Sequence, residues 1–151
     1  MREFRILGPV EALVDGRPVG LGAPKQRALL AKLLLANGDV VTREELVQAV
    51  WGDEPPDSAA GALQVYVHGL RRALGGECIE RVGAGYRLPL GRGELDLARF
   101  EELLARAELS LAAGDADDAE ADLESALTLW RGPALVDLAG EPVAEAESGR
   151  L

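Results

Sequence analysis

The residues that decide the fold are 58–88, SAAGALQVYVHGLRRALGGECIERVGAGYRL, in which a helical pattern runs directly into two short strands. From Ser58 to Leu74 apolar residues return every three or four positions, which predicts an amphipathic helix ended by Gly75 and Gly76. Residues 78–82 and 86–88 have strand character on either side of a Gly-Ala-Gly turn, which predicts a β-hairpin. A helix followed by such a hairpin is the closing part of a winged helix.

The residues before this stretch supply the other elements of a winged helix. Apolar and charged residues alternate at positions 4–6, and residues 10–19 form a hairpin pattern around Asp15-Gly16, a pair suited to tight two-residue turns. Pro24 is placed to open a helix that ends at Asn37-Gly38. Thr42 to Glu45 has the form of a capping box, which predicts the start of a second helix. The predicted order is strands, three helices and a hairpin.

Residues 93–151 differ from the first 92 in charge and in composition. The first part carries 12 Lys and Arg against 11 Asp and Glu, whereas the second carries 4 against 15. Residues 96–113 and 115–130 are rich in Ala and Leu, and Gly114 separates them, so we expect two antiparallel helices that form one helical-repeat unit. The sequence therefore predicts an α+β chain with a winged helix in residues 1–92 and an all-α segment in residues 93–151.

Composition excludes several classes of function. No apolar run approaches the ~20 residues that span a bilayer. Cys78 is the only cysteine, so no internal disulfide can form, and we expect a cytoplasmic chain. His68 is the only histidine, which excludes paired-histidine metal sites. Since no residues with the spacing of a catalytic site stand out, we expect neither an enzyme nor a cofactor.

The third helix has two faces of different chemistry. At about 100° per residue its core face is apolar, and that face comprises Leu63, Val67, Leu70 and Leu74. The outward face is small, polar and partly basic, and it comprises Gly61, Val65, His68 and Arg72, with Gln64 and Arg71 on a flank. Such a face suits the major groove of DNA, and Arg81 and Arg87 of the hairpin suit phosphate oxygens. Alternatively, the helix is an ordinary solvated helix and the hairpin only a sheet edge.

Several segments together resemble the SARP family of antibiotic regulatory proteins, which joins an OmpR-like winged helix to a TPR-like bacterial transcriptional activation domain. The segments are Phe4–Val10, Pro24–Leu30, Leu46–Gly52, Leu63–Leu74, Gly85–Leu88, Asp96–Phe100 and Ala126–Gly132. The resemblance implies an OmpR-type winged helix-turn-helix with a TPR-like segment behind it. It also implies a transcriptional activator that binds direct repeats upstream of promoters, recruits RNA polymerase and often controls antibiotic biosynthesis.

The resemblance also implies roles for individual residues. By position, Val65, Gly69 and Arg71 would face the bases. The residues expected near the phosphate backbone are Gln64, His68, Arg72, Arg81 and Arg87. The acidic loop with Asp53, Glu54 and Asp57 corresponds to the segment that touches polymerase in OmpR-like proteins. Gly69 departs from the pattern, because many OmpR-like relatives carry a large polar residue there.

The helical-repeat segment bears on the length of the chain and on its partners. The family's activation domain runs through several more helices, so we expect a shortened or unusually short chain. We expect double-stranded DNA and RNA polymerase holoenzyme as partners. The apolar faces of the two helices are expected to be covered either by the chain's own winged helix or, as we favour, by a second copy in a possible homodimer through a stripe of Leu123, Leu127 and Trp130. Residues 140–151 have weak apolar periodicity and are expected to fray unless a partner holds them. The rival hypotheses are a protein-interaction module and the front part of a larger regulator.

Overall fold

A computed structural model describes residues 1–76 and 78–147 of the chain. Three strands, β1 (Arg2–Arg5), β2 (Glu11–Val14) and β3 (Arg17–Pro18), form an antiparallel sheet in the order β1-β2-β3. Asp15 and Gly16, which join β2 to β3, have φ angles of 52° and 80°. The hairpin predicted around Asp-Gly is confirmed.

Three helices follow the sheet: α1 (Pro24–Leu35), α2 (Arg43–Trp51) and α3 (Ala59–Leu74). Pro24 is the first residue of α1, where its missing N–H costs nothing. At the start of α2 the Glu45 N–H donates to Thr42 Oγ1 at 3.1 Å, and the Thr42 N–H donates to Glu45 Oε1 at 3.3 Å. The predicted capping box is therefore confirmed. The wing consists of β4 (Glu80–Val82) and β5 (Gly85–Arg87), paired antiparallel.

The second part of the chain is helical. It contains α4 (Asp96–Ala112), α5 (Ala116–Thr128), a 3-10 helix (Val136–Leu138) and α6 (Pro142–Glu147). The α+β fold class is thus confirmed. Within the described residues, no helix combines the length and the apolar character needed to cross a bilayer.

The tail, expected to fray unless a partner holds it, is held at residues 142–147 by the chain's own winged helix. These residues form α6, and Val143 is only 2% exposed because it packs into the core beside α2. A tertiary partner rather than internal periodicity stabilises this short helix, and sequence periodicity reports only on the helix itself. The remaining part of that prediction, residues 148–151, lies outside the described residues.

The two parts of the chain share one hydrophobic core. Buried side chains of the sheet and of α1 to α3 form a single cluster with four residues from the second part, Leu95, Leu135, Leu138 and Val143. Leu95 also forms a parallel bridge with Phe4, next to the bond from the Phe4 N–H to the Glu94 carbonyl at 2.6 Å. The boundary at residues 92 and 93 stays a prediction, but the core is continuous across it.

The connection between β1 and β2 is buried against the second part of the chain. Asp96 lies there with 9% exposure and accepts the N–H of Ile6 at 2.9 Å on one oxygen and that of Leu7 at 3.0 Å on the other. Burial raises the pKa of the Asp96 carboxyl, and the two N–H donors and the Arg131 guanidinium act against that rise. Both oxygens of this one side chain therefore serve buried backbone donors.

Other residues of the second part form hydrogen bonds with further backbone groups of the connection between β1 and β2. The N–H groups of Arg131 and Leu135 donate to the carbonyls of Leu7 and Ile6 at 2.8 and 3.1 Å. The Val10 N–H donates to Asp137 at 2.9 Å. Buried backbone groups without partners are costly, so these bonds attach the helical part firmly to the winged helix.

We expect Asp96→Asn to lower the free energy of unfolding by about 1–3 kcal/mol, because the amide has one acceptor and its NH₂ group would face a backbone donor. Urea denaturation followed by circular dichroism measures this change. Glu120→Gln, at an exposed position of α5, is the matched control and should shift the free energy by no more than about 0.5 kcal/mol. Equal stabilities of the two variants would contradict the assigned role of Asp96.

Candidate nucleic-acid interface

The outward face of α3 is formed by residues from its middle and its C-terminal half. Gln64, Val65, His68 and Arg72 are exposed, and Val65, an apolar residue, is 66% exposed. The opposite face is buried, with Leu63, Val67, Leu70 and Leu74 each at 1% exposure or less. The division of α3 into a core face and an outward face is therefore confirmed.

Gly69 lies at the contact between α3 and α1 rather than in the middle of the outward face. A Cβ atom at position 69 would lie 2.5 Å from Oε1 of Gln26. The Gln26 amide is itself held in place, because its Nε2 donates to the Leu21 carbonyl at 3.0 Å. The structure thus differs from the expectation that Gly69 faces the bases, since its missing side chain makes room for Gln26. A base contact at this position stays a prediction.

Arg71 joins the end of α3 to the start of the wing. Its Nε and Nη2 both donate to the Ile79 carbonyl, at 3.0 and 2.6 Å, and the side chain is partly buried. Arg71 was expected to face the bases, whereas in the structure its guanidinium binds a backbone carbonyl of the protein itself. The sequence placed Arg71 on a flank of α3, but it could not show that the chain returns beneath that flank. Base contact by Arg71 stays a prediction that requires these bonds to break.

The two arginines of the wing differ in their surroundings. Arg87 pairs with Glu80 on the neighbouring strand at 2.9 Å, and both side chains are nearly half exposed. Such a surface pair contributes little and gives way readily to a competing anion. Arg81 is exposed and donates from Nε to the Gly83 carbonyl at 3.2 Å, within the turn of the wing. Both guanidinium groups are therefore accessible to phosphate oxygens.

The wing is held against the segment that precedes α2. Val41 and Tyr86 exchange two backbone hydrogen bonds, of 2.8 and 3.0 Å. Gly85, next to Tyr86, is buried, and a Cβ atom there would overlap the carbonyl oxygen of Val41. The backbones approach so closely at this point that only glycine fits. This contact fixes the position of the wing relative to α2 and α3.

The structure adds Arg43, which sequence reasoning missed, to the candidate interface. Arg43 is exposed at the first position of α2 and lines a small cleft with Gln64 of α3 and Arg81 of the wing. Within residues 1–76 and 78–147, neither Arg43 nor Arg72 has an ion-pair partner. From the sequence, the capping box shows that α2 begins near Arg43. That Arg43 meets α3 and the wing depends on tertiary packing.

The predicted polymerase-contact loop lies at the end of α2. Asp53, Glu54 and Asp57 are all exposed, and the Gln48 amide donates to Asp53 at 3.3 Å. Gly52, at the start of the loop, lies beside Pro142 of α6. The acidic loop is therefore adjacent to the helical part of the chain, a proximity that the sequence did not indicate.

Comparisons with known protein families match two successive parts of the chain. Residues 16–88 match the family described as "Transcriptional regulatory protein, C terminal", and residues 95–151 match the "Bacterial transcriptional activator domain". The chain is 42% identical over 149 residues to the Regulatory protein AfsR of Streptomyces coelicolor, covering 98% of this chain and 15% of the relative. It is 38% identical over 142 residues to the Transcriptional regulatory protein EmbR of Mycobacterium tuberculosis, covering 90% and 37%.

A solved structure has the same fold. It is that of Mycobacterium tuberculosis EmbR in complex with a low affinity phosphopeptide, with a TM-score of 0.93 and 35% sequence identity. The match covers 99% of this chain and 41% of the EmbR chain. The chain thus spans less than half the length of these relatives.

We expect Gly85→Ala to lower the free energy of unfolding by about 1–3 kcal/mol, because a methyl group cannot be placed beside the Val41 carbonyl without moving the wing. Thermal unfolding measures the loss. Gly61→Ala on α3 is the control, since position 61 has open space and alanine favours a helix by roughly 0.5–1 kcal/mol. If Gly85→Ala were as stable as Gly61→Ala, the close approach at the wing would be wrong.

Proposed function

The chain belongs to the transcriptional regulators that join an OmpR-like winged helix to a bacterial transcriptional activator domain, the SARP family, and we propose that it activates transcription by binding DNA sequence-specifically. The observation that carries the proposal is a set of three exposed cationic side chains on α3 and its neighbours, two of which, Arg43 and Arg81, share a cleft with Gln64 of α3. Arg72 lies on α3, Arg43 begins α2 and Arg81 lies on the wing. Phosphate contacts of this kind position a recognition helix in the major groove.

The residues on the outward face of α3 divide by chemistry into two groups. We propose that Gln64, Val65 and His68 approach base edges, since an amide reads adenine well and an exposed apolar side chain suits the thymine methyl group. Arg72, Arg81 and Arg87 would bind phosphates, together with Arg43. Gly69 and Arg71 would contribute indirectly. Gly69 leaves space for the Gln26 side chain, and Arg71 binds the Ile79 carbonyl. This assignment revises the roles that family resemblance alone implied.

The separation of charge along the chain supports the same proposal. The negative charge of −10 lies almost entirely in the second part, whereas the first 92 residues are close to neutral. An acidic chain therefore retains a face that attracts phosphate. Since the electrostatic field is screened within about 8–10 Å at physiological salt, acids farther than this from the outward face of α3 would oppose DNA binding only weakly.

Three finer features of the function come from the family. We propose that the chain binds direct repeats upstream of promoters and recruits RNA polymerase through Asp53, Glu54 and Asp57, whose side chains are free of the core. We also propose that the genes it controls are those of secondary-metabolite biosynthesis and that it acts without catalysis of its own. The rival, a protein-interaction module with an inactive winged helix, does not account for Arg43 and Arg72, which are exposed beside α3 and have no ion-pair partner in the described part of the chain.

We expect Arg72→Ala to weaken DNA binding and to lower the slope of log affinity against log salt by about one, because one phosphate contact is lost. A fluorescence titration with a direct-repeat duplex at several salt concentrations measures both quantities. Arg99→Ala removes an equal charge from an exposed position of α4 and should leave the slope unchanged. A winged helix that is inactive would give no steep salt dependence in the parent chain.

Self-association is a further proposal, carried by apolar side chains on one flank of the α4–α5 pair. Leu111 and Leu127 are 57% and 68% exposed, and Leu123 is 38% exposed. Trp130, expected in the same stripe, instead packs edge-on against Phe100 with ring centroids 5.4 Å apart. We propose a weak homodimer through Leu123 and Leu127, which would place two copies side by side on direct repeats.

We expect the dimer to strengthen as salt screens the acidic surfaces and to weaken at least about tenfold in Leu127→Asp, because the substitution places a charge in the apolar contact. Sedimentation equilibrium measures both effects. Leu109→Asp is the matched control, since Leu109 is 72% exposed on the opposite flank of α4. A chain that stays monomeric at every salt concentration would refute the homodimer.

A further inference from the structure

A groove of about 350 Å³ lies between α2 and α6, on the surface shared by the two parts of the chain. Its apolar surface comes from Ala49 of α2 and from Pro142, Val143 and Ala146 of α6. Val143 and Ala49 are also part of the hydrophobic core, so the lining is anchored rather than a loose surface patch. Exposed apolar surface bordered by polar groups marks many protein contact sites.

The border of the groove is acidic. Glu44, Glu45 and Glu147 line it, and Lys32 is the only cation among the described residues that do so. Glu45 is occupied with the capping box, whereas Glu44 is exposed and has no ion-pair partner in the described part of the chain. At one end of the groove, Pro142 lies beside Gly52, the residue that immediately precedes the acidic loop. A partner that fits must therefore be apolar at its centre and cationic at its edges.

The groove lies on the side of α2 that faces away from the proposed DNA interface. At about 100° per residue, Glu44, Glu45, Gln48 and Ala49 occupy one side of the helix, and Arg43 lies on the other. Arg43 shares its cleft with α3 and the wing. A partner in the groove and a duplex against α3 would thus contact opposite sides of α2 and leave each other room.

We propose that this α2–α6 groove binds a cationic amphipathic helix of a partner protein, and that DNA and the helix bind at the same time. The six residues of α6 extend about 9 Å, which suits two or three apolar side chains at helical spacing. Their cationic neighbours would meet Glu44 and the acidic loop. Since winged helix and activator segment each supply one wall, neither wall forms the site without the other.

The test uses the full chain and a fluorescein-labelled helical peptide of about 18 residues, built from Leu on one face and Lys on the other, followed by fluorescence anisotropy. We expect saturable binding to the parent chain, at least about fivefold weaker binding to Glu44→Lys and to Ala146→Lys, and less than about twofold change for Glu124→Lys. Glu124 is exposed on α5, so its reversal changes the net charge as much as that of Glu44. Thermal unfolding verifies that each variant is folded.

Each alternative gives a different result. Equal weakening by Glu44→Lys and Glu124→Lys would show general attraction to an acidic chain and overturn the proposal. Absence of peptide binding, together with a dimer that Glu44→Lys disperses in sedimentation, would assign the groove to a second copy instead. Titration without DNA makes the result independent of the proposed DNA-binding function. Repetition with a saturating duplex should give the same affinity, and competition would refute simultaneous binding.

Discussion

The connection between β1 and β2 is buried, and its backbone groups find their partners 89 to 127 residues further along the chain, in Asp96 and Asp137. Leaving a buried donor unpaired costs about 1–3 kcal/mol. The stability of the winged helix therefore depends on these bonds as much as the stability of the helical part does. The side chains of Ile6 and Leu7 are fully buried at the same place. The first strands of the winged helix are thus completed by the activator segment.

This attachment has consequences for how the surfaces cooperate. Asp137 accepts from the Val10 backbone and also pairs with Arg27 of α1 at 3.0 Å, while Lys25 of α1 pairs with Glu141 just before α6 at 2.8 Å. The helical part is therefore fixed to α1 as well as to the sheet. Since α1 packs on α2, α3 and α6, one helix supports both the groove beside α6 and the outward face of α3. Under the proposed function, the surface that contacts polymerase and the surface that contacts DNA would thus be joined through α1.

The sequence predicted features that depend on residues close together in the chain, and it missed those that depend on residues far apart in the chain. The capping box at Thr42, the Asp15-Gly16 turn and the apolar face of α3 are encoded within a few residues, and all of them are present in the structure. The bond from Arg71 to Ile79, the cleft at Arg43 and the packing of α6 depend on elements brought together by the fold. Periodicity identifies the buried side of a helix, but it cannot identify which neighbour covers a flank. The sequence therefore predicted which face of α3 points outward, but not which residues of other elements contact that helix.

Gly69 and Gly85 show how a close approach of backbone and side chain shapes the candidate interface. Neither has the positive φ that commonly explains a glycine, and in both cases a neighbour occupies the space of the missing side chain. Gly85 brings the wing against Val41, and Gly69 brings Gln26 of α1 against α3. At position 69 this chain thus has a contact between two helices in place of an outward side chain. Under the proposed function, base recognition must then move toward the preceding turns of α3, where Gln64, Val65 and His68 remain exposed.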